Sequence, residues 1–179
     1  MSKNLVLAFD TASDHIALGV GTLDGHVIAC NDFPARRAAN VQLMPSIDAL
    51  FSSERLEKSA ISCVVCGRGP GSFTGVRIAI ATAKGIAYGL GVPLYGISTL
   101  DAVAWGAWLS GTRGALGVVA DAMRGELYPA RYDLSDKEAC DKGTGTGQQG
   151  DKKGTALWGR TGDGTNGQGT NGQGTVLCP

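Results

Sequence analysis

The sequence has no excess of positive charge: Lys plus Arg number 16, Asp plus Glu 16, and residues 1–133 alone balance at 11 each. A surface that held a nucleic acid by itself would show a basic excess or stripe, because phosphate contacts dominate such binding. Any contact with a nucleic acid is therefore expected through a partner. Long apolar runs are also missing. The first, Leu5 to Phe9, stops at Asp10. That is too short for a signal peptide or a membrane span, so no membrane contact is expected and the cytoplasm is the expected location. Histidine is scarce. His15 and His26 have no second His or Cys at ligand spacing, and no metal site is expected. Of the five cysteines, Cys63 and Cys66 spell Cys-x-x-Cys. They fall in a strand-like run where an offset of three sends them to opposite faces, which suits buried thiols better than a chelate or redox pair.

What the chain does have is glycine in one informative place. Residues 67–77 read Gly-Arg-Gly-Pro-Gly-Ser-Phe-Thr-Gly-Val-Arg, directly after the apolar run Ile61 to Val65. Pro70-Gly71 suggests a type II turn, and Ser72 or Thr74 can cap the first free N–H groups of a helix over 74–90. At ~100° per residue, Val76, Ala79, Ile80, Ala83, Ala87 and Leu90 share one face of that helix. Ile78, Ala81, Thr82, Gly85 and Gly89 share the opposite one, with Arg77, Lys84 and Tyr88 as a narrow polar strip. A helix with two non-polar sides needs two covers: the sheet of its own domain, and something else.

Around this stretch the elements follow in a clear order. Strands are expected over Leu5 to Asp10, Ile16 to Gly21 and His26 to Phe33, the last two joined by an Asp24-Gly25 turn. An amphipathic helix follows over 41–53, built on Leu43, Met44, Ile47, Leu50 and Phe51, with Pro45 in its first turn or kinking it. Then come strand 61–66, the glycine loop, helix 74–90 and strand Val92 to Ile97. A helix from about Thr99 to Leu109 starts at Ser98, with Asp101 completing a capping box. Three meandering strands followed by alternating helices and strands is the order of a ribonuclease-H-like α/β lobe. The opening then repeats: Val118 to Asp121, a turn, and Glu126 to Tyr132 parallel Leu7 to Asp10, a turn, and Ile16 to Val20. Such a duplication is the plan of the actin-like ATPase and sugar-kinase superfamily.

The glycine stretch, with Ala-Thr-Ala-Lys-Gly after it, resembles the signature of the TsaB (YeaZ) family. Leu-Ala-Phe-Asp-Thr-Ala-Ser (7–13), Leu-Met-Pro-Ser-Ile-Asp-Ala-Leu (43–50), Gly-Ile-Ser-Thr-Leu (96–100) and Asp-Ala-Met-Arg-Gly-Glu-Leu-Tyr (121–128) resemble the same family in the same order. That family supplies the dimerisation subunit of the bacterial complex that makes threonylcarbamoyladenosine in tRNA. The resemblance implies an actin-like fold and a non-catalytic subunit. It further implies a TsaD-like catalytic partner, a TsaE-like ATPase in the complex, a weak homodimer, and tRNA held only indirectly. TsaD carries paired metal-binding histidines on a helix; the matching helix here, Val41 to Ser53, has none. The implied docking surface comprises Leu43, Ile47, Leu50, Ile78, Ala81, Thr82, Gly85 and Gly89.

Two local readings stay open. Asp10 and Thr11 sit where kinases of the superfamily place a carboxylate and a hydroxyl near Mg²⁺ and phosphate. The plainer reading is that Asp10 caps its own turn. The loop of Arg68, Gly69, Gly71, Ser72, Thr74, Gly75 and Arg77 lacks a Walker A ending. It could hold an anion at the helix N-terminus, or its glycines could simply permit close packing. No resident cofactor is expected, with weak nucleotide binding shared with the partner as the alternative. The competing function is an ATP-dependent small-molecule phosphotransferase or ATPase. A ribonuclease-type nuclease is excluded, because the partner strand ends at Cys66-Gly67 and brings no second carboxylate.

The expected division is a first actin-like lobe over 1–110, the start of an incomplete second lobe over 111–142, and a low-complexity tail over 143–179. The tail has 12 Gly and 7 Thr in 37 residues and repeats Asn-Gly-Gln-Gly-Thr. It cannot offset an ordering cost of ~1–2 kcal/mol per residue and is expected to be disordered. A truncated or frame-shifted gene product, or a linker replacing the missing elements, would each give this pattern.

Overall fold

The computed structural model describes residues 4–35, 38–123 and 126–134; the tail over 143–179 lies outside these residues. Strands β1 (Leu5–Asp10), β2 (His15–Thr22) and β3 (Val27–Pro34) form an antiparallel meander. Helix α1 (Ala39–Ser53), a short 3-10 turn (Lys58–Ala60), β4 (Ile61–Gly67), α2 (Phe73–Leu90), β5 (Leu94–Ile97) and α3 (Thr99–Leu109) follow. Strands β4 and β5 join β1 in parallel, which gives the sheet order β3-β2-β1-β4-β5. This mixed α/β arrangement fits a ribonuclease-H-like sheet.

Alternation makes the sheet one-sided where it matters. In β1 and β2, Leu5, Leu7, Phe9, Ile16, Leu18 and Val20 are buried while their neighbours are only half-buried, the period-2 pattern of a strand with one packed face. Onto that face α1 lays Leu43, Ile47, Leu50 and Phe51, and α2 lays Ala79, Ala83 and Ala87. Small alanines let α2 lie close to β4. Its ends are well specified: the Ser72 hydroxyl accepts from the Gly75 N–H at 3.3 Å, and Gly91 closes the helix in the left-handed conformation at φ 63°.

Several local expectations are corrected. Of the two places expected for Pro45, the first turn is excluded: it lies inside α1 beyond that turn, because the helix begins earlier, at Ala39. No type II turn forms at Pro70-Gly71. The Gly69–Pro70 bond is cis, and the bond such a turn would close is diverted. The Gly69 carbonyl accepts from Thr99 N–H at 2.9 Å instead, and Ser72 N–H donates to the Ala12 carbonyl at 2.6 Å. Only half of the capping box forms on α3. The Ser98 hydroxyl accepts from Asp101 N–H, while the Asp101 carboxylate accepts from the Tyr132 hydroxyl at 2.6 Å.

Beyond α3, β6 (Gly114–Met123) and β7 (Glu126–Leu134) make a separate two-stranded antiparallel sheet, longer than the hairpin expected from sequence. Leu100 and Ala104 of α3 pack on Val118 of β6, with Leu116, Ala120, Ala130 and Tyr132 around them. No helix among the described residues is long and apolar enough to cross a membrane.

Candidate functional site

Parallel pairing of β1 with β4 sets Asp10 beside Gly67 at the ends of neighbouring strands, and the β1–β2 turn folds onto the start of α2. Asp10 uses both carboxylate oxygens there. Oδ1 accepts from Ala12 N–H at 2.7 Å, and Oδ2 accepts from the Thr99 hydroxyl at 2.6 Å. Thr11 is almost fully buried and its hydroxyl donates to the Gly75 carbonyl at 2.6 Å. A Cβ added at Gly67 would overlap the Asp10 carboxylate; at Gly75 it would overlap the Thr11 carbonyl, and at Gly71 the Ala12 carbonyl. Three glycines thus face three consecutive residues, and each contact has room for hydrogen only.

Of the nine residues singled out for a phosphate or anion loop, Asp10, Thr11, Gly71, Ser72 and Gly75 are drawn into one knot of internal hydrogen bonds and backbone contacts. Gly69 supports the knot at φ 82° and gives its carbonyl to α3. Arg68, Thr74 and Arg77 are exposed. The Arg68 stem runs beside Gly96 of β5, and the Arg77 guanidinium stacks over the Phe73 ring at 5.0 Å from its centroid. Cys66 lies just under the knot. Burial pushes its thiol above the ordinary cysteine range, and the Asp10 carboxylate adds to the effect. Cys30, Cys63 and Cys66 are free thiols.

The second region is the seam between α1 and α2. Here the proposed interface residues divide. Leu43, Ile47 and Leu50 are each at most 3% exposed and belong to the chain's own core, and of the three only Ile47 lines the groove between the helices. The outer edge of α1 is formed instead by Val41, Met44 and Asp48, all exposed, with Asp48 ion-paired to Lys58. On α2, Ala81, Gly85 and Gly89 are exposed, and Ile78 and Thr82 are half-buried. A Cβ at Gly85 or Gly89 would meet no atom within 4 Å. Between the helices runs an apolar groove of about 440 Å³, floored by Leu7, Ile47 and Ile61 and edged by Met44, Thr82 and Gly85.

Thr99 and the outer edge of α1 escaped the sequence reading. Thr99 could have been found by asking what lies at the carboxyl end of β5, next to β1 and β4. The edge of α1 follows from a small rotation: Met44 and Asp48 share the i, i+4 row beside the buried one.

Residues 34–157 match the family model described as TsaD: tRNA N6-adenosine threonylcarbamoyltransferase. The chain is 37% identical over 132 residues to the tRNA threonylcarbamoyladenosine biosynthesis protein TsaB of Escherichia coli K12, covering 71% of this chain and 54% of that protein. The protein of the same name from Bacillus subtilis 168 is 32% identical over 130 residues, covering 71% of this chain and 54% of its own length. Among solved structures, YeaZ from Pseudomonas aeruginosa superposes with a TM-score of 0.69 at 29% identity, covering 76% of this chain and 62% of that one. The chain spans about half the length of the curated relatives it matches. With this family model and these relatives, the chain belongs to the TsaB/YeaZ family.

Proposed function

We propose that this chain serves threonylcarbamoyladenosine formation in tRNA as a non-catalytic subunit, docking on a TsaD-like catalytic subunit through the α1–α2 face. The single observation that carries this reading is the open strip Ala81–Gly85–Gly89 beside an apolar groove. Gly85 in the interior of α2 costs ~0.5–1 kcal/mol relative to alanine, and Gly89 follows one turn later, in the last turn. Nothing within the described residues approaches Gly85 or Gly89 to account for that cost, whereas Gly75 is explained by Thr11. A partner helix lying close against the strip supplies the missing reason.

The non-catalytic half of the reading rests on Asp10. Its two oxygens are taken by Ala12 and Thr99 rather than turned toward open space. That bonding favours a turn-capping carboxylate over the metal-side carboxylate of a phosphotransferase. In this scheme the partner contacts tRNA, a TsaE-like ATPase joins the assembly, and any homodimer through the same face is weak. The test is reconstitution. Added to a TsaD-like subunit and the enzyme that makes threonylcarbamoyl-adenylate, this chain should raise tRNA modification, and it should turn over no ATP alone. Equal product with and without the chain, or ATP turnover by the isolated chain, would refute the proposal.

A further inference from the structure

From Gly67 to Leu100 the sequence holds three cations, Arg68, Arg77 and Lys84, and no Asp or Glu. Two of the three lie on α2, and both are exposed. At ~100° per residue, Phe73, Arg77, Lys84 and Tyr88 fall within about 60° of one another. They form a stripe that borders Ala81 and flanks the Gly85 side of the helix, with Tyr88 about 60° and the two cations about 80–100° from Gly85. Phe73 is 74% and Tyr88 92% exposed, and Arg77 lies over the Phe73 ring. Among the described residues the ion pairs are His15–Asp32 and Asp48–Lys58, so neither Arg77 nor Lys84 has a carboxylate partner there.

We infer that this stripe selects the partner at the docking face: it favours a helix carrying carboxylates opposite Arg77 and Lys84, and it opposes pairing with a second copy of this chain. The inference rests on the docking reading above and adds its chemistry. One part of the case against self-pairing holds in every register: α2 of a second copy offers neither cation an acid. In a two-fold dimer the same patch meets itself. Because α2 has no acidic residue, no alignment of α2 on another α2 can neutralise either cation. The acid of α1 that edges the same groove, Asp48, is already held by Lys58. Each unrelieved like-charge contact is worth on the order of a few-fold in affinity at an exposed site and is screened by salt. Acids on a partner convert the same two positions into attraction.

The test is a charge-reversed copy, R77E/K84E. Both side chains are exposed, and the double change removes the stacking of Arg77 on the Phe73 ring without touching the core, so the variant should melt with wild type. Sedimentation equilibrium at low salt should show that wild type and the variant each self-associate weakly. A 1:1 mixture should associate roughly tenfold more tightly, and the gain should vanish near ~0.5 M salt. A neutral variant, R77Q/K84Q, should self-associate more tightly than wild type. In parallel, the TsaD-like subunit of the same organism should bind R77E/K84E roughly tenfold more weakly than wild type. A mixture no tighter than its components would overturn the inference. So would a charge-reversed variant that binds the TsaD-like subunit as wild type does. Failure of wild type to bind that subunit, with the mixing gain still present, would instead overturn the docking reading and leave the repulsive stripe standing.

Discussion

Gly75 and Gly85 sit ten residues apart on one helix, yet alanine should act in opposite directions at the two. At Gly75 the new methyl would overlap the Thr11 carbonyl, which is backbone and cannot swing aside. The turn holding that carbonyl is fixed by Asp10 on Ala12 and by Ala12 on Ser72. Overpacking of this kind costs ~1–3 kcal/mol. Displacing the turn also strains the Thr11–Gly75 hydrogen bond, worth ~0.5–1.5 kcal/mol. Better helix propensity returns only ~0.8–1 kcal/mol. The net expectation for Gly75→Ala is a loss of about 2 kcal/mol. At Gly85 there is open space, so Gly85→Ala should keep the propensity gain of ~0.5–1 kcal/mol. Urea unfolding followed by circular dichroism reads both. With a slope of roughly 1–3 kcal/mol/M, the Gly75→Ala midpoint should fall by about 1 M and the Gly85→Ala midpoint should rise slightly. If Gly75→Ala matches wild type, the glycine knot is not a packing device and the loop needs another explanation.

Three further outcomes follow from the same contacts. Thr99→Val removes a hydroxyl from Asp10 Oδ2 and should cost about 1.5–3 kcal/mol in the same assay, as for other bonds to a charged acceptor; a neutral result would show that Asp10 is not held there. Cys63 and Cys66 are buried, and Cys66 is held in its thiol form, so peptide mapping after brief alkylation at neutral pH should find Cys30 modified ahead of both; early labelling of Cys66 would contradict its burial. Burial, and a hydrogen bond to Asp101, raise the Tyr132 hydroxyl above its ordinary value near 10, so the unfolded state loses that proton first. The Tyr132 contribution should hold below about pH 10 and fade as pH rises further, and the gap between wild type and Tyr132→Phe should shrink there; a gap unchanged with pH would remove the bond from the account.

The sheet was legible because its signals are local. Alternation in β1 and β2, the Asp24-Gly25 turn and the Ser72 cap each fix a neighbour a few residues away. The two-sided character of α2 could also be read from periodicity, since Ala79, Ala83 and Ala87 against Gly85 and Gly89 is a pattern of one helix. Contacts between distant segments were not legible. The residues around Thr99 do not point to Asp10; the contact follows only once β1, β4 and β5 are placed side by side with their carboxyl ends together. The same limit misplaced Leu43, Ile47 and Leu50. An apolar stripe on α1 shows that it is covered, but not whether the cover is its own sheet or a partner. The structure assigns those residues to the sheet and leaves the face at Met44 and Asp48 for the groove.

The claim that the Ala81–Gly85–Gly89 strip is a docking surface is tested most directly by Gly85→Arg. The new side chain would enter open space in the isolated chain, so the melting temperature should stay within a few degrees of wild type. Isothermal titration with a TsaD-like subunit should then show binding abolished, because the long cation fills the seam where a partner backbone would approach. A folded Gly85→Arg protein that binds that subunit with wild-type affinity would contradict the account.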